Sequence, residues 1–370
     1  MQYRDFGKTG CKVSVLGFGA MRMPLNNPDD QKDINEEKAI ELIRHAIDNG
    51  VNYVDTAYFY HGGCSETLVG KALKDGYREK TYVATKLPMG HVNCTEDFDA
   101  LLNTQLERLD MDYVDFYLFH ALNRDHWKKV IDFGLIDKMK QAKAAGKIRH
   151  MGFSFHDDLE VFNQILDEYD GCEFCQIQYN YVDTDYQAGA EGLKRAAEMG
   201  LGLVVMEPLR GGSLVSPAED IKKQLPENRG CVDNALNFVW NAPEVSLLLS
   251  GMGKMEQLEE NLVLADNSKV GIFSDEELIK FTNAKAVNDK LSLVPCTKCM
   301  YCQPCPAGVE IPEIFAAFNK ITQGGRRLVK EIMPDIEDRI SKCVKCGKCE
   351  KMCPQNIKII EELKSIKDKF

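Results

Sequence analysis

The sequence predicts a (β/α)8 barrel over residues 1–290, followed by a small, mainly helical, cysteine-rich module over residues 291–370. Three observations lead there. Short apolar runs alternate with amphipathic stretches across about 250 residues, the usual size of such a barrel. The runs are almost continuously apolar, as parallel strands covered on both faces should be. Eight of the 14 cysteines then crowd into the last 75 residues. Charge divides in the same way, with 14 Lys/Arg against 10 Asp/Glu from Cys296 onward and 32 against 47 before it.

The strand candidates, in order, are Val13–Gly19, Val51–Thr56, Thr81–Lys86, Tyr113–His120, Ile148–Ser154, Phe174–Asn180, Gly202–Glu207 and Val245–Gly251. Helical patterns lie between them. Glu36–Asp48 stops at Asn49-Gly50, Thr95–Leu109 follows the third run, and Ile131–Ala145 stops at Gly146. Ser216-Pro217-Ala218-Glu219 and Ser274-Asp275-Glu276-Glu277 both have the capping-box form. The competing architecture is a doubly wound open sheet. No strand run is followed by the GxGxxG turn that a dinucleotide-binding sheet of that kind uses, which favours the barrel.

Composition narrows the partners. Hydrophobic residues at 44% and charged residues at 28% suit a globular chain with a sizeable core. No apolar run approaches the roughly 18 residues of a membrane span. The start, Met1 to Val13, lacks the basic-then-apolar pattern of a signal peptide, so the expected location is cytoplasmic. A formal net charge of −11 repels phosphate backbones. Neither nucleic acid nor membrane is an expected partner.

In a (β/α)8 barrel, chemistry gathers where strands end and the following loops begin. The second run ends in Asp55 followed by Thr56-Ala57-Tyr58-Phe59-Tyr60, the third in Lys86 and the fourth in His120. Singly, each has a plain structural reading as a helix cap, a snorkelling cation or a satisfied core imidazole. Together, on successive strands, they form a constellation.

These residues, with Ser65-Glu66, Val69-Gly70-Lys71-Ala72-Leu73, Thr85-Lys86, Leu118-Phe119-His120, Gly152-Phe153-Ser154, Gln176 to Asn180 and Glu260-Asn261, resemble the aldo-keto reductase superfamily over residues 3–290. The resemblance places a catalytic tetrad on Asp55, Tyr60, Lys86 and His120. It implies carbonyl reduction, or alcohol oxidation, with a nicotinamide cofactor. Such chemistry needs a proton donor and a positive field where alkoxide charge develops. Tyr60 would be the acid, Lys86 its activator, Asp55 the anchor of the lysine, and His120 the donor that orients the carbonyl. Relatives that reduce carbon–carbon double bonds replace the histidine with glutamate. His120 therefore points to a plain carbonyl or alcohol.

The same resemblance assigns Ser154 and Gln178 to the nicotinamide carboxamide, and the loop from Ser250 to Asn261 to the adenosine end. Met206 stands where an aromatic commonly underlies the nicotinamide; a thioether can lie against a ring, more loosely. Within the late loop, Lys254 is the only cation near Gln257. A 2′-phosphate calls for Arg or Lys donors, so NADH is as well suited as NADPH.

Several residues tempt and have ordinary readings. Cys172 and Cys175 form a CxxC with no partner pair, which reads as two structural thiols. Cys64 reads as a loop residue. His126 and Trp127 lie after the fourth run, as pocket lining or as surface.

The tail carries Cys296, Cys299, Cys302 and Cys305-Pro306, then Cys343, Cys346, Cys349 and Cys353-Pro354. The second set is the C-x2-C-x2-C-x3-C-P run of bacterial-type [4Fe–4S] ferredoxins, in which the last cysteine ligates the other cluster. Two clusters follow; in the crossed arrangement one sits on Cys296, Cys299, Cys302 and Cys353 and the other on Cys343, Cys346, Cys349 and Cys305, while the two-residue gap before Cys305 keeps open the alternative in which Cys296, Cys299, Cys302 and Cys305 hold one cluster. Zinc is the competing reading of paired CxxC motifs. Helical patterns at Pro312–Ile321 and Arg326–Met333 separate the two sets, and lysines such as Lys298, Lys345 and Lys348 would offset cluster charge. The clusters would serve electron transfer, redox sensing or structure. Hydride moves two electrons and a cubane one, so coupling them would call for a radical-tolerant substrate or a flavin, for which no motif is present. Three readings stay open: a nicotinamide-dependent carbonyl reductase, a ferredoxin-linked electron-transfer enzyme with a flavin, and a non-catalytic nucleotide-binding redox sensor.

Overall fold

The computed structural model describes residues 1–28 and 30–370. Each apolar run becomes a strand of one closed parallel barrel. A short antiparallel hairpin, β1 (Tyr3–Asp5) and β2 (Lys12–Ser14), comes first. The barrel strands are β3 (Leu16–Gly19), β4 (Tyr53–Asp55), β5 (Tyr82–Leu87), β6 (Val114–Leu122), β7 (Ile148–Phe155), β8 (Phe174–Gln178), β9 (Gly202–Met206) and β10 (Leu247–Ser250). They pair in chain order, and β10 returns to β3 to close the ring.

Three local expectations change. The run Val13–Gly19 divides, because the Ser14 hydroxyl donates to the Leu16 carbonyl and diverts the chain between hairpin and barrel. The helix expected over Ile131–Ala145 is two helices, Arg124–Asp132 and Leu135–Ala144, broken where Gly134 takes φ +61°. The box at Ser274 forms and starts the helix Asp275–Leu291, whereas the one at Ser216 does not. There the helix is a single turn, Glu219–Lys222, starting after Ala218 without a side-chain cap.

The barrel is filled, not hollow. Its floor is Phe6, held by the hairpin and packed edge-on to Phe116 at 4.9 Å, with Phe174 at 5.4 Å and Tyr53 at 6.1 Å. Gly202 must lack a side chain here, since a Cβ would lie 2.5 Å from the Phe6 ring. Tyr53, Ala84, Phe116, Leu118, Phe174, Val204 and Leu247 continue this interior core.

By packing, residues Met1–Pro208 and Leu236–Phe273 form one compact unit, and Leu209–Ala235 with Ser274–Phe370 the other. The packing division thus falls before the helix Asp275–Leu291, whereas the sequence places the domain boundary at residue 290. One reason is that the Thr322 hydroxyl donates to the Leu291 carbonyl, tying that helix to its own unit. The second unit is mainly helical, with Ile311–Asn319, Ile321–Ile332, Ile336–Ser341, Lys348–Met352 and Ile359–Lys367. Ile314, Phe315, Phe318, Ile336 and Leu363 form its core, and six of the tail cysteines pack against it. Among the described residues no helix is long and apolar enough to cross a membrane.

Candidate active site and cysteine cavities

Strand periodicity carries the candidate residues to the barrel mouth. Side chains two apart on a strand share a face. Tyr53, Ala84 and Phe116 face the barrel core, so Asp55, Lys86 and His120 extend the same interior faces toward the C-terminal ends. A bulge after Phe119, with Ala121 at φ +53°, bends β6 just beyond His120. Tyr60 comes from the short turn Tyr60–Gly63 after β4.

These four converge. Lys86 is fully buried, and its Nζ donates to both Asp55 oxygens at 2.7 Å, to the Thr56 carbonyl at 2.8 Å and to the Tyr60 hydroxyl at 3.3 Å. The same ammonium lies 4.9 Å from the centre of the Tyr60 ring. His120 meets Tyr60 edge-on, centroids 6.2 Å apart. Burial pulls the Lys86 ammonium below its ordinary range, and the Asp55 carboxylate counters it. Burial likewise raises Asp55 against the pull of Lys86. For His120, burial first and then the charge of Lys86 hold the imidazole well below its usual pKa, so it is neutral at physiological pH.

A second buried layer fixes this one. Glu66 is fully buried and accepts from Thr85 Oγ1 at 2.7 Å, Gln105 Nε2 at 2.6 Å and Arg108 at 3.2 Å. Gln105 Nε2 also donates to the Lys86 carbonyl at 3.0 Å. His61 follows Tyr60 and anchors the preceding loop: its Nδ1 donates to the Gln31 carbonyl, and its Nε2 accepts from the Met23 N–H at 3.0 Å. Sequence reading gave Glu66 no role and missed Gln105, because nothing in a helix pattern shows which polar residue turns inward.

Ser154, Gln178 and Met206 reach the same end of the barrel on β7, β8 and β9. The Ser154 hydroxyl accepts from the Ala121 N–H at 2.8 Å, and Gln178 Nε2 donates to Asp183 at 2.8 Å. Gln176 Nε2 lies 3.5 Å from the Met206 sulfur, and its buried Oε1 has no hydrogen-bond partner among the described residues. Ser250 and Asn261 bond each other at 3.1 Å, and Gln257 accepts from the Gly253 N–H at 3.1 Å. Lys254 begins the helix Met255–Asn267. The fold adds a cation that the sequence did not place there. Arg22 lies against Gly251 and Gly253, where a Cβ on Gly251 would be 3.2 Å from the Arg22 Cβ.

The tempting residues resolve. Trp127 is buried and its indole N–H donates to Glu168 at 2.6 Å, so it belongs to the core. His126 Nδ1 donates to the Ala121 carbonyl at 2.8 Å. Cys175 is buried within β8, and burial pushes the Cys172 and Cys175 thiols up, away from reactivity. Cys64 precedes the helix Ser65–Ala72, half-buried.

In the second unit the tail cysteines line two cavities. Cys296, Cys299, Cys302 and Cys353 share one with Ile311, Phe315 and Ile357. Cys305, Cys343, Cys346 and Cys349 share the other with Val309, Ile360 and Leu363, and Cys302 reaches both. Burial raises the Cys302 thiol, and its neighbours Cys299, Cys296 and Cys353 raise it further. Thiolates crowded in apolar surroundings repel, and cationic iron relieves that repulsion; the donor set fits an iron–sulfur cluster. The thiols line the cavity walls: among the described residues no three Cys, His, Asp or Glu side chains converge closely enough for a single metal ion.

Residues 295–357 match the 4Fe-4S dicluster domain. L-galactose dehydrogenase of Arabidopsis thaliana is 28% identical over 286 residues, 71% of this chain and 87% of that protein. The uncharacterized oxidoreductase YrpG of Bacillus subtilis is 26% identical over 76% of this chain and 95% of its own. The holo form of aldo-keto reductase AKR11C1 from Bacillus halodurans superposes with a TM-score of 0.65 at 25% identity, covering 77% of this chain and 96% of that one. Residues 15–277 match the aldo/keto reductase family, and the chain is a member of that family carrying a C-terminal 4Fe-4S dicluster domain.

Proposed function

We propose that the barrel interconverts a carbonyl compound and its alcohol with NADH or NADPH, and that the tail holds two [4Fe–4S] clusters in the crossed arrangement. The observation that carries the first part is the buried ammonium of Lys86 between the Asp55 carboxylate and the Tyr60 hydroxyl. A bound nicotinamide supplies or accepts the hydride. Tyr60 gives its hydroxyl proton to the developing alkoxide oxygen. Lys86, beside that hydroxyl, favours the tyrosinate left behind, and Asp55 keeps the ammonium in place within a low-dielectric wall. His120, neutral, is able to donate one ring N–H to the carbonyl oxygen and orient it.

Ser154 and Gln178 are suited to the carboxamide, Met206 to the ring face, and the Ser250–Asn261 loop to the adenosine end. Arg22 beside Gly251, with Lys254, gives that end two cations. The arrangement therefore accommodates either dinucleotide. For the tail, the support is that Cys353 of the second motif lines the cavity of Cys296, Cys299 and Cys302, while Cys305 of the first motif lines the cavity of Cys343, Cys346 and Cys349, with Cys302 reaching both.

The test is anaerobic purification, followed by iron analysis and assay against a panel of aldehydes and ketones. The expected result is about eight irons per chain, with nicotinamide consumed in step with alcohol formed. Protein that holds its clusters yet consumes neither NADH nor NADPH with any carbonyl would contradict the reductase reading.

A further inference from the structure

The two cysteine cavities differ in what surrounds them. The one lined by Cys296, Cys299, Cys302 and Cys353 has no charged side chain in its lining. The other is lined by Lys345 and Lys348 together with Val344, Cys346 and Gly347. Cys346 is exposed, and Val344 is 68% exposed. Lys342 and Lys351 flank the same stretch, so exposed lysines recur every third residue from 342 to 351.

Some cations of this unit are matched, Lys330 with Glu337, Arg339 with Glu310 and Asp335, and Arg327 with Glu331, whereas Lys358, Lys364 and Lys367, which line neither cavity, are exposed without an ion-pair partner among the described residues. None of the four lysines has an ion-pair partner among the described residues. Shielding an anionic cluster calls for cations close to its sulfurs. Lysines directed to solvent around an exposed valine are more than shielding needs. Glu350, whose carboxylate accepts from the Ile360 N–H, is the one acidic residue between 342 and 351; an apolar centre within a mainly basic rim is how transient redox encounters are steered.

We propose that this face is the electron entry and exit of the molecule, and that its partner is a small acidic one-electron protein of the ferredoxin class. The inference rests on the two-cluster reading above. In reduction, the partner gives up one electron and the cluster on Cys305, Cys343, Cys346 and Cys349 takes it up, with no bond or proton transferred. The electron then has a short way to the second cluster, because Cys302 and Ile311 line both cavities.

The test compares anaerobic holoprotein with the variant K342E/K345E/K348E/K351E and the milder all-Gln variant, each checked for iron content and visible spectrum. Titration calorimetry with an oxidised acidic [2Fe–2S] ferredoxin should give binding that weakens with salt, weakens in the Gln variant and is lost in the Glu variant. In stopped flow, reduced ferredoxin should bleach the clusters about tenfold or more slowly in the Glu variant. The methyl viologen radical cation, carrying the opposite charge, should reduce that variant as fast as wild type or faster. Equal ferredoxin rates in all three proteins would overturn the proposal. So would a parallel loss with both reductants, or duplex DNA or anionic vesicles binding this face while ferredoxin does not. NADH-driven carbonyl reduction, assayed alongside, reports on the barrel separately: its absence would count against the reductase reading and leave the docking result standing.

Discussion

Burial sets the chemistry at the residue scale. His120 is held neutral, so between pH 6 and 8, a range around the free-histidine value of about 6.5, it should contribute no titration limb to carbonyl reduction. The sign is that of a depressed histidine: the folded form binds its proton only well below the unfolded value, and neutrality is kept as pH rises. A limb with a midpoint near 6.5 in the kcat/KM profile, vanishing in His120→Gln, would count against a neutral imidazole. Glu66 acts one layer further out. Glu66→Gln removes the carboxylate that pairs with Arg108 and receives Thr85 and Gln105. Arg108 is about a quarter exposed, which softens the loss to about 2 kcal/mol. In a barrel of this size that corresponds to a melting temperature lower by about 4–8 °C. An unchanged melting temperature would show that the layer carries no stability.

Close approaches matter most at the scale of elements. Gly211 has φ +61°, and a Cβ there would lie 1.8 Å from the Thr297 carbonyl oxygen, within the loop of Cys296 and Cys299. Gly211→Ala is expected to push that loop aside and lower iron content chiefly in the cluster fed by Cys296, Cys299 and Cys302. Full iron with an unaltered spectrum would mean that the loop yields without cost. The same scale shows what the sequence could and could not convey. Each of the eight barrel strands falls within or close to its apolar run, because burial on both faces writes an unbroken signal. The hairpin β1–β2 went unseen, since three-residue strands leave no periodicity. Gly134 breaks one helix in two, although the apolar spacing runs on across it. Asp55, Lys86 and His120 were legible because polar residues ended apolar runs. Gln105 and Arg22 were not, because only the closed fold brings them to the site.

At the scale of the whole molecule, the hydride chemistry proposed for the barrel would stand beside one-electron carriers in the tail. Under the proposed crossed wiring the two clusters would be interdependent. Cys305→Ser should therefore weaken the cluster held by Cys343, Cys346 and Cys349 while leaving its neighbours Cys296, Cys299 and Cys302 loaded, as read by iron content and electron paramagnetic resonance of each reduced cluster. Loss confined to the Cys296 cluster would indicate that each motif holds its own. The boundary is the place where sequence and packing part. Composition shifts near residue 290, whereas contacts group Leu209–Ala235 and the helix Asp275–Leu291 with the tail. Composition marks the cysteine-rich stretch, and it cannot record which loop packs beside it.

The central claim is that Tyr60, activated by Lys86, delivers the proton in carbonyl reduction. Tyr60→Phe tests it most directly, because the ring stays and only the hydroxyl 3.3 Å from Lys86 Nζ is removed. The measurement is single-turnover oxidation of bound NADH by an aldehyde, with NADH affinity read separately from its fluorescence. The account predicts unchanged NADH binding, intact clusters and a rate lower by about a hundredfold or more, the range of general-acid catalysis. Near-normal turnover in that variant would contradict it.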